Sequence, residues 1–261
     1  MAKLYNKRII KGKIRLLSGL HIGSGYMSIE TDATVMKDVQ NKPFIPGSSL
    51  KGLFRTISER LHHLILDNVK TEVCYLAENE CSRKTSVKEE IEKLEIEEDI
   101  VELIEREICP ICQLYGSTFQ ASKIVFHDAK LIEENKQEQY TTVRHSVKIN
   151  RETGAAEDGA KYDYEVVYPN TTFSFEIEAE NLSEIDSDLL AIALGQCKTG
   201  NIQIGGKTSR GLGFIQLEDV KEQRFDLTKP EGKAAYLRYI LGEEKSGEKN
   251  ETCENVGQTA Q

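Results

Sequence analysis

Apolar spacings along the chain run strand, helix, strand, long polar excursion, strand, helix, strand. That order predicts an α+β protein with a ferredoxin-like, RNA-recognition-motif-like β-α-β-β-α-β core. Two further observations shape the prediction. An acidic helical stretch holding four cysteines, residues 70–112, interrupts the first half, and a polar, Gly-rich stretch without helical period, residues 140–168, separates the halves. The domain plan is therefore a core from residues 1–69, 113–139 and 169–241, a helical insert at 70–112, an excursion at 140–168, and an acidic tail at 242–261 that is expected to be disordered.

Each element has a local reason. Ile10, Ile14 and Leu16 lie at even spacing around Gly12 and predict a first strand over residues 8–17. A Gly-rich loop follows, Gly19-Leu20-His21-Ile22-Gly23-Ser24-Gly25. Pro46-Gly47-Ser48-Ser49 ends an extended segment and offers serines as helix caps. Leu50, Leu53, Phe54, Ile57, Leu61, Leu64 and Ile65 then recur at three and four residues, the face of a buried helix. Val87, Ile91, Leu94, Val101, Ile104 and Ile108 predict one amphipathic helix inside the insert. Lys123-Ile124-Val125-Phe126-His127-Asp128-Ala129 reads as a second strand, and Phe173, Phe175 and Ile177 alternate as a third. The excursion between them reads as a long functional loop or a hairpin. Leu189, Leu190, Ile192, Ala193 and Leu194 give a short helix ending near Gly200. A second Gly-rich loop spans 205–213, and Phe214-Ile215-Gln216-Leu217 runs out as the last strand.

The chain has 261 residues, 39% hydrophobic and 30% charged, which suffices for one large domain or a core domain with insertions. No apolar run approaches the roughly 20 residues that span a bilayer, so no membrane partner is expected. Met1-Ala2-Lys3-Leu4-Tyr5 lacks the apolar stretch of a signal peptide, and a cytoplasmic location is the expectation. In such a chain six cysteines read as thiols or metal ligands before disulfides. With 43 acidic against 34 basic residues and a net charge of −9, the balance argues against a non-specific DNA coater. The charge is segregated, however. Runs such as Glu89-Glu90-Ile91-Glu92 and Glu95-Ile96-Glu97-Glu98-Asp99 fill the insert, and the tail after Gly242 is again Glu-rich. The remainder is near neutral, and its cations gather in three loops: Lys51 and Arg55; Arg144, Lys148 and Arg151; Lys207 and Arg210. The acidic helix itself reads as a solvated face.

Cys109-Pro110-Ile111-Cys112 is a CxxC knuckle, whose sulfurs can grip one tetrahedral ion at about 2.3 Å. Cys74 and Cys81 lie upstream and would complete a four-thiolate zinc site, structural because it leaves no open position. Such a site would staple an insert with little core of its own, since binding energy there is folding energy. Four unrelated thiols or a redox CxxC are the competing readings, and His62 or His63 could replace one of the upstream cysteines. Cys197 and Cys253 are read as uninvolved. Gly205-Gly206-Lys207-Thr208-Ser209-Arg210-Gly211 offers unhindered N–H groups beside two cations, which suits a phosphate backbone; a hairpin whose glycines serve turns is the alternative. The GxxxxGK[ST] spacing is missing, which argues against a nucleotide triphosphatase, and neither HExxH nor GxSxG occurs. Asp32 and Asp38 flank Ala33-Thr34-Val35-Met36-Lys37; most loop aspartates form turns, and catalysis is the sharper alternative.

Taken together, Gly19-Leu20-His21-Ile22-Gly23, Asp32, and Phe44-Ile45-Pro46-Gly47-Ser48-Ser49-Leu50-Lys51-Gly52 resemble the RAMP backbone subunits of type III CRISPR effector complexes. Leu114-Tyr115-Gly116-Ser117 after the CxxC is similar to the variants of that family that carry a zinc insert. Arg144, Ile149-Asn150-Arg151, Thr153-Gly154-Ala155 and Glu165-Val166-Val167 resemble its thumb β-hairpin, and Gly205-Gly206 to Gly211-Leu212-Gly213 its signature Gly-rich loop. The likeness covers most of residues 8–220, in order.

The resemblance implies a subunit that stacks with copies or paralogues of itself, and with other type III effector subunits, along a CRISPR RNA. It implies that a thumb at 140–168 unpairs and kinks the target RNA at intervals, and that Asp32 cuts there with Mg2+ or another divalent metal. RNA-binding residues would be His21, Ser48, Ser49, Lys51, Arg55, Arg144, Lys148, Arg151, Gly205, Gly206, Lys207 and Arg210. Structural Zn2+ would sit on Cys74, Cys81, Cys109 and Cys112. The physics fits: a 2′-hydroxyl attacks its neighbouring phosphate only when in line with the leaving 5′-oxygen, which a splayed strand permits and a regular A-form helix does not. The chain departs from the family in its longer acidic insert and in Ala33-Thr34 after Asp32. A non-catalytic RNA-binding scaffold is the alternative reading. A metal-independent processing RNase, for which His21 and His145 are the candidates, ranks last.

Overall fold

A computed structural model describes residues 3–27, 31–66, 73–74, 81, 84–94, 97–132 and 139–243. The expected tail from residue 244 on, with Cys253, lies outside the described residues, as do parts of the insert. Strand β1 spans Asn6–Leu16 and β2 Phe44–Ile45, followed by helices α1 (Gly47–Leu61) and α2 (His63–Leu66). In the insert come α3 (Thr85–Ile91), α4 (Glu97–Glu107) and α5 (Pro110–Tyr115). Then follow β3 (Ile124–Phe126), β4 (Ala129–Lys130), β5 (Thr141–Ile149), β6 (Ala156–Val167) and β7 (Thr172–Glu180). The chain continues with α6 (Glu184–Lys198), β8 (Ile202–Gln203), β9 (Phe214–Asp226) and α7 (Pro230–Ile240). Among the described residues no helix is long and apolar enough to cross a membrane.

The protein is a mixed α+β structure built on a five-stranded sheet in the order β3-β7-β1-β9-β8, with all neighbours antiparallel. Alternation puts Ile10, Ile14 and Leu16 of β1 on one face with Phe173, Phe175 and Ile177 of β7, all buried. Helices α1 and α6 pack against each other over that face, where Phe54 stacks on Phe175 at 5.9 Å and meets Phe126 edge-on at 5.1 Å. Ser183 starts α6 with a capping box: its hydroxyl accepts from the Asp186 N–H, and the Asp186 carboxylate accepts from the Ser183 N–H. The opposite face carries Lys7, Lys11, Lys13 and Arg15, paired across strands to Glu178, Glu176, Asp219 and Glu218. A bulge breaks the β1–β9 register between Lys11 and Lys13, which adds local twist.

Several elements differ from the expectation. Among the described residues, the stretch from Val87 to Ile108, for which the spacing predicts one helix, holds two, α3 and α4. A single helix would stack Glu92, Glu95 and Asp99 as like charges on adjacent turns, whereas a fresh start at Glu97 puts acidic residues at a positive helix end. The second predicted strand splits at His127-Asp128: β3 pairs with β7, then the chain turns and β4 pairs with β2. The turn is held by the Asp128 carboxylate, which accepts from the Gly47 N–H at 2.8 Å. The excursion is an antiparallel hairpin of β5 and β6. Strand β9 runs well past Leu217, and α7, unforeseen, covers its end through Phe225, Tyr236 and Tyr239.

Candidate nucleic-acid interface

Four segments distant in sequence meet at the foot of the hairpin. Its edge strand β6 is extended by the first Gly-rich loop, since Leu20 and Val167 exchange backbone hydrogen bonds at 3.1 and 2.8 Å. The loop bearing Asp32 lies along the same strand, with Ala33 bridged in parallel to Tyr164 and the Glu165 N–H donating to the Ala33 carbonyl at 2.9 Å. The second Gly-rich loop closes over the first: the Gly206 N–H donates to the His21 carbonyl and the Gly213 N–H to the Gly19 carbonyl, both at 2.8 Å. A side chain at Gly205, φ +85°, would lie 2.5 Å from the His21 carbonyl oxygen, so glycine there serves a close approach of two backbones.

Asp32 is exposed, and its Oδ2 accepts from the Asp163 N–H at 2.9 Å, which fixes the carboxylate at the edge of β6. Asp38 does a different job. Its Oδ1 accepts from the N–H groups of Gln40 and Lys42, a turn-forming role. Glu165, buried, binds the Asp32 loop from the hairpin side through the Val35 N–H and the Lys37 ammonium, and takes a third donor, the Thr141 hydroxyl, from the hairpin itself. Burial raises its pKa, but those three donors outweigh it and hold the carboxyl below the usual carboxylate range. The Glu165 carbonyl also takes a hydrogen bond from His21 Nδ1 at 2.7 Å, so Nδ1 carries the proton of the buried His21 ring.

Arg144 faces Tyr164 across the hairpin, and Tyr162 and Tyr164 lie nearly parallel, 6.2 Å apart. Lys207, in a left-handed conformation, sets its ammonium 4.2 Å from the Tyr164 ring centre. The Arg210 guanidinium lies over Tyr162 at 5.4 Å and donates to its hydroxyl. The structure thus brings His21, Arg144, Gly205, Gly206, Lys207 and Arg210 together with Asp32. Ser48 and Ser49 stand in the first turn of α1 and Lys51 begins the second, at the helix end that the Asp32 loop reaches through the Lys37–Pro43 bridge and β2. Lys148 and Arg151 sit at the hairpin tip, Lys148 paired with Glu157 at 2.7 Å. Arg55 turns inward, its side chain 12% exposed, onto Glu59 and Cys112. Sequence reasoning missed Tyr162, Tyr164, Asp163 and Glu165. Their only local signal is strand alternation in the excursion, which places tyrosines at positions two apart.

Cys74, Cys81, Cys109 and Cys112 are all buried, with every sulfur within 4.8 Å of the others. Cys74 Sγ lies 3.2 Å from Cys112 Sγ and 3.6 Å from Cys109 Sγ. Four sulfurs about 2.3 Å from a tetrahedral ion would stand about 3.8 Å apart, so the donor set fits a metal ion. Among the thiols themselves, hydrogen bonds from Cys112 and then Cys81 hold the Cys109 thiol below its ordinary pKa, while the hydrogen bonds shared with Cys109 push Cys81 and Cys112 up. His62 instead shares a hydrogen bond with the Glu59 carbonyl at 2.8 Å, and neither histidine belongs to the group. Cys197 is buried apart from it, its thiol pushed up by burial to about 12. A second potential group, His127, Glu176 and Glu178, lies on the charged face of the sheet, with Lys11 and Lys7 paired to its carboxylates. Among the described residues Asp32 belongs to neither group.

Comparison with known proteins agrees with this architecture. The chain is 29% identical over 226 residues to the "CRISPR system Cms endoribonuclease Csm3" of Streptococcus thermophilus, covering 80% of this chain and 86% of that protein. It is 26% identical over 266 residues to the protein of the same name from Methanocaldococcus jannaschii, covering 98% and 92%. The counterpart in Mycobacterium tuberculosis is 27% identical over 245 residues, covering 85% and 90%. The family model of the RAMP superfamily matches residues 13–216, from the middle of β1 into β9 and across every segment of the site; the chain belongs to the RAMP superfamily.

Proposed function

We propose that the chain is a backbone subunit of a type III CRISPR effector complex that holds CRISPR RNA and cuts target RNA at regular intervals, with Asp32 as the catalytic carboxylate. One arrangement supports this most directly: an exposed Asp32, fixed by the Asp163 N–H at the foot of a long hairpin, beside Arg144, Lys207 and Arg210. The order β9-β1-β7-β3 with α1 and α6 on one face favours a ferredoxin-like palm, with the hairpin at 140–168 as its thumb and residues 70–112 as its zinc insert. Ser48, Ser49, Lys51 and the Gly-rich loops hold guide phosphates by backbone and charge, contacts that carry no sequence preference.

The thumb unpairs the target strand, so that a 2′-hydroxyl can line up with the leaving 5′-oxygen. Asp32 takes the hydroxyl proton as the 2′-oxygen bonds to phosphorus, the bond to the 5′-oxygen breaks, and water protonates the leaving oxygen. Among the described residues Asp32 belongs to no group of three metal-ligating side chains, so a divalent ion held by its carboxylate would draw further oxygen ligands from RNA or water. Such an ion would supply charge neutralisation at the phosphate. The four cysteines take zinc as a structural ion.

A second reading, a scaffold that does not cut, draws on the same hydrogen bond, because an aspartate engaged with the Asp163 N–H already serves the backbone. Asp32→Ala and Asp32→Asn in the assembled complex separate the two. Asparagine keeps an acceptor for the Asp163 N–H and removes the base. Target cutting should fall about 10²- to 10⁴-fold in both variants while target binding persists. Undiminished cutting in both leaves the scaffold.

A further inference from the structure

Arg55 carries a largely buried guanidinium, and all three of its nitrogens are engaged. Nε donates to Glu59 Oε1 at 2.8 Å, Nη1 to the Gly116 carbonyl at 3.3 Å, and Nη2 to Cys112 Sγ at 3.2 Å. Side-chain exposure is 12% for Arg55 and 8% for Glu59, so the pair is part of the interior. These contacts tie α1 to α5 at two points: to a cysteine of the group in the middle of that helix and to Gly116, the residue that ends it. One turn further along α1, the Ser58 hydroxyl meets the Tyr115 hydroxyl at 2.9 Å, a second link between the same elements.

We propose that Arg55 is a positioning residue of the four-thiolate metal centre, holding Cys112 by an N–H···S hydrogen bond and joining the centre to the helix whose N-terminal part bears Ser48, Ser49 and Lys51. The inference rests on reading the four cysteines as a zinc site. Zinc with four thiolates carries two net negative charges, and in a buried place that charge needs donors around the sulfurs. Cys81 receives the Cys109 N–H at 3.4 Å, and Cys112 receives the charged donor. Partners of this kind fix ligand orientation and tune the metal. A lysine would not substitute, since its single ammonium cannot engage Glu59, Gly116 and Cys112 at once as the planar fork does.

The test uses the full chain loaded with Zn2+, or with Co2+ as a spectroscopic probe. Arg55→Ala alone would leave Glu59 buried without its cation, so Arg55→Met combined with Glu59→Gln removes both charges together, with Glu59→Gln as the control. Melting curves verify folding. Zinc affinity, read by competition with a chromophoric chelator, should fall about 10- to 100-fold in the double variant and stay near wild type in the control. The thiolate-to-cobalt charge-transfer band should move to longer wavelength in the double variant, because losing the donor raises the sulfur orbitals. The Glu59→Gln control, which alters the packing but keeps the N–H···S donor, should leave that band in place. Should the double variant fail to fold, Arg55→Lys carries the same two measurements, with the same direction expected. Wild-type affinity and an unmoved band in a folded variant would overturn the role of Arg55 and leave the zinc site standing. A wild-type chain that takes up neither zinc nor cobalt would remove the zinc reading, and this inference with it.

Discussion

With its side chain only 9% exposed, Glu165 accepts from Lys37 and Thr141 at 2.6 Å each on one oxygen and from the Val35 N–H at 3.1 Å on the other. Its backbone binds Ala33 and His21 as well, so the Asp32 loop and the first Gly-rich loop are registered against one hairpin residue, and the second Gly-rich loop follows through the His21 carbonyl. The carboxyl pKa is lower folded than unfolded, so its contribution to stability is complete above the unfolded value and disappears as pH falls through the folded one. The denaturant midpoint should therefore hold near neutral pH and drop below about pH 4. Glu165→Gln should cost about 1–3 kcal/mol at pH 7, from lost charge-assisted hydrogen bonds, and flatten the acid limb. An unchanged acid limb would show that other carboxylates govern it.

At the scale of elements, the second Gly-rich loop works through close packing of backbones. A Cβ on Gly213, φ +87°, would stand 2.1 Å from the Ile204 carbonyl oxygen, whereas Gly211, φ +79°, has nothing within 4 Å. Both positions penalise an L-residue for its backbone angle, but only the first adds a collision. Gly211→Ala should thus cost about 1–2 kcal/mol and Gly213→Ala clearly more, as thermal melts would report. Equal losses would contradict the packing. What the sequence made legible follows the same division. Strands β1 and β7 and helix α1 declare themselves because each buries one face at its own period. Helix α7 escaped notice although Pro230 marks its start, since it buries no residue fully and its tyrosines only cover Phe225. The four cysteines were legible as a set from one knuckle and two upstream thiols. Tyr162, Tyr164 and Glu165 were not, because their partners lie some 45 or 130 residues away.

For the whole molecule, the separation of charge matters more than the net −9. The acidic residues crowd the insert and the sheet face opposite α1 and α6, where they meet lysines, while Arg144, Lys207 and Arg210 gather at the hairpin foot. RNA binding by the full chain should therefore weaken steeply with salt. Lys207→Ala should lower the slope of log affinity against log salt by about 0.7, uniformly across RNA sequences. A slope equal to wild type would detach Lys207 from the phosphates. The hairpin itself is fastened to the body at its base and stands on two strands, the longer of 12 residues. Because a pleat alternates its sides, one residue added to each strand would turn the tip over. Away from an irregularity such as the one between Val147 and Ile149, its height changes by residue pairs, in increments of about 7 Å. If it is the spacer of an assembly, the pitch of that assembly inherits the same coarse ruler, and small drift in its length is forbidden.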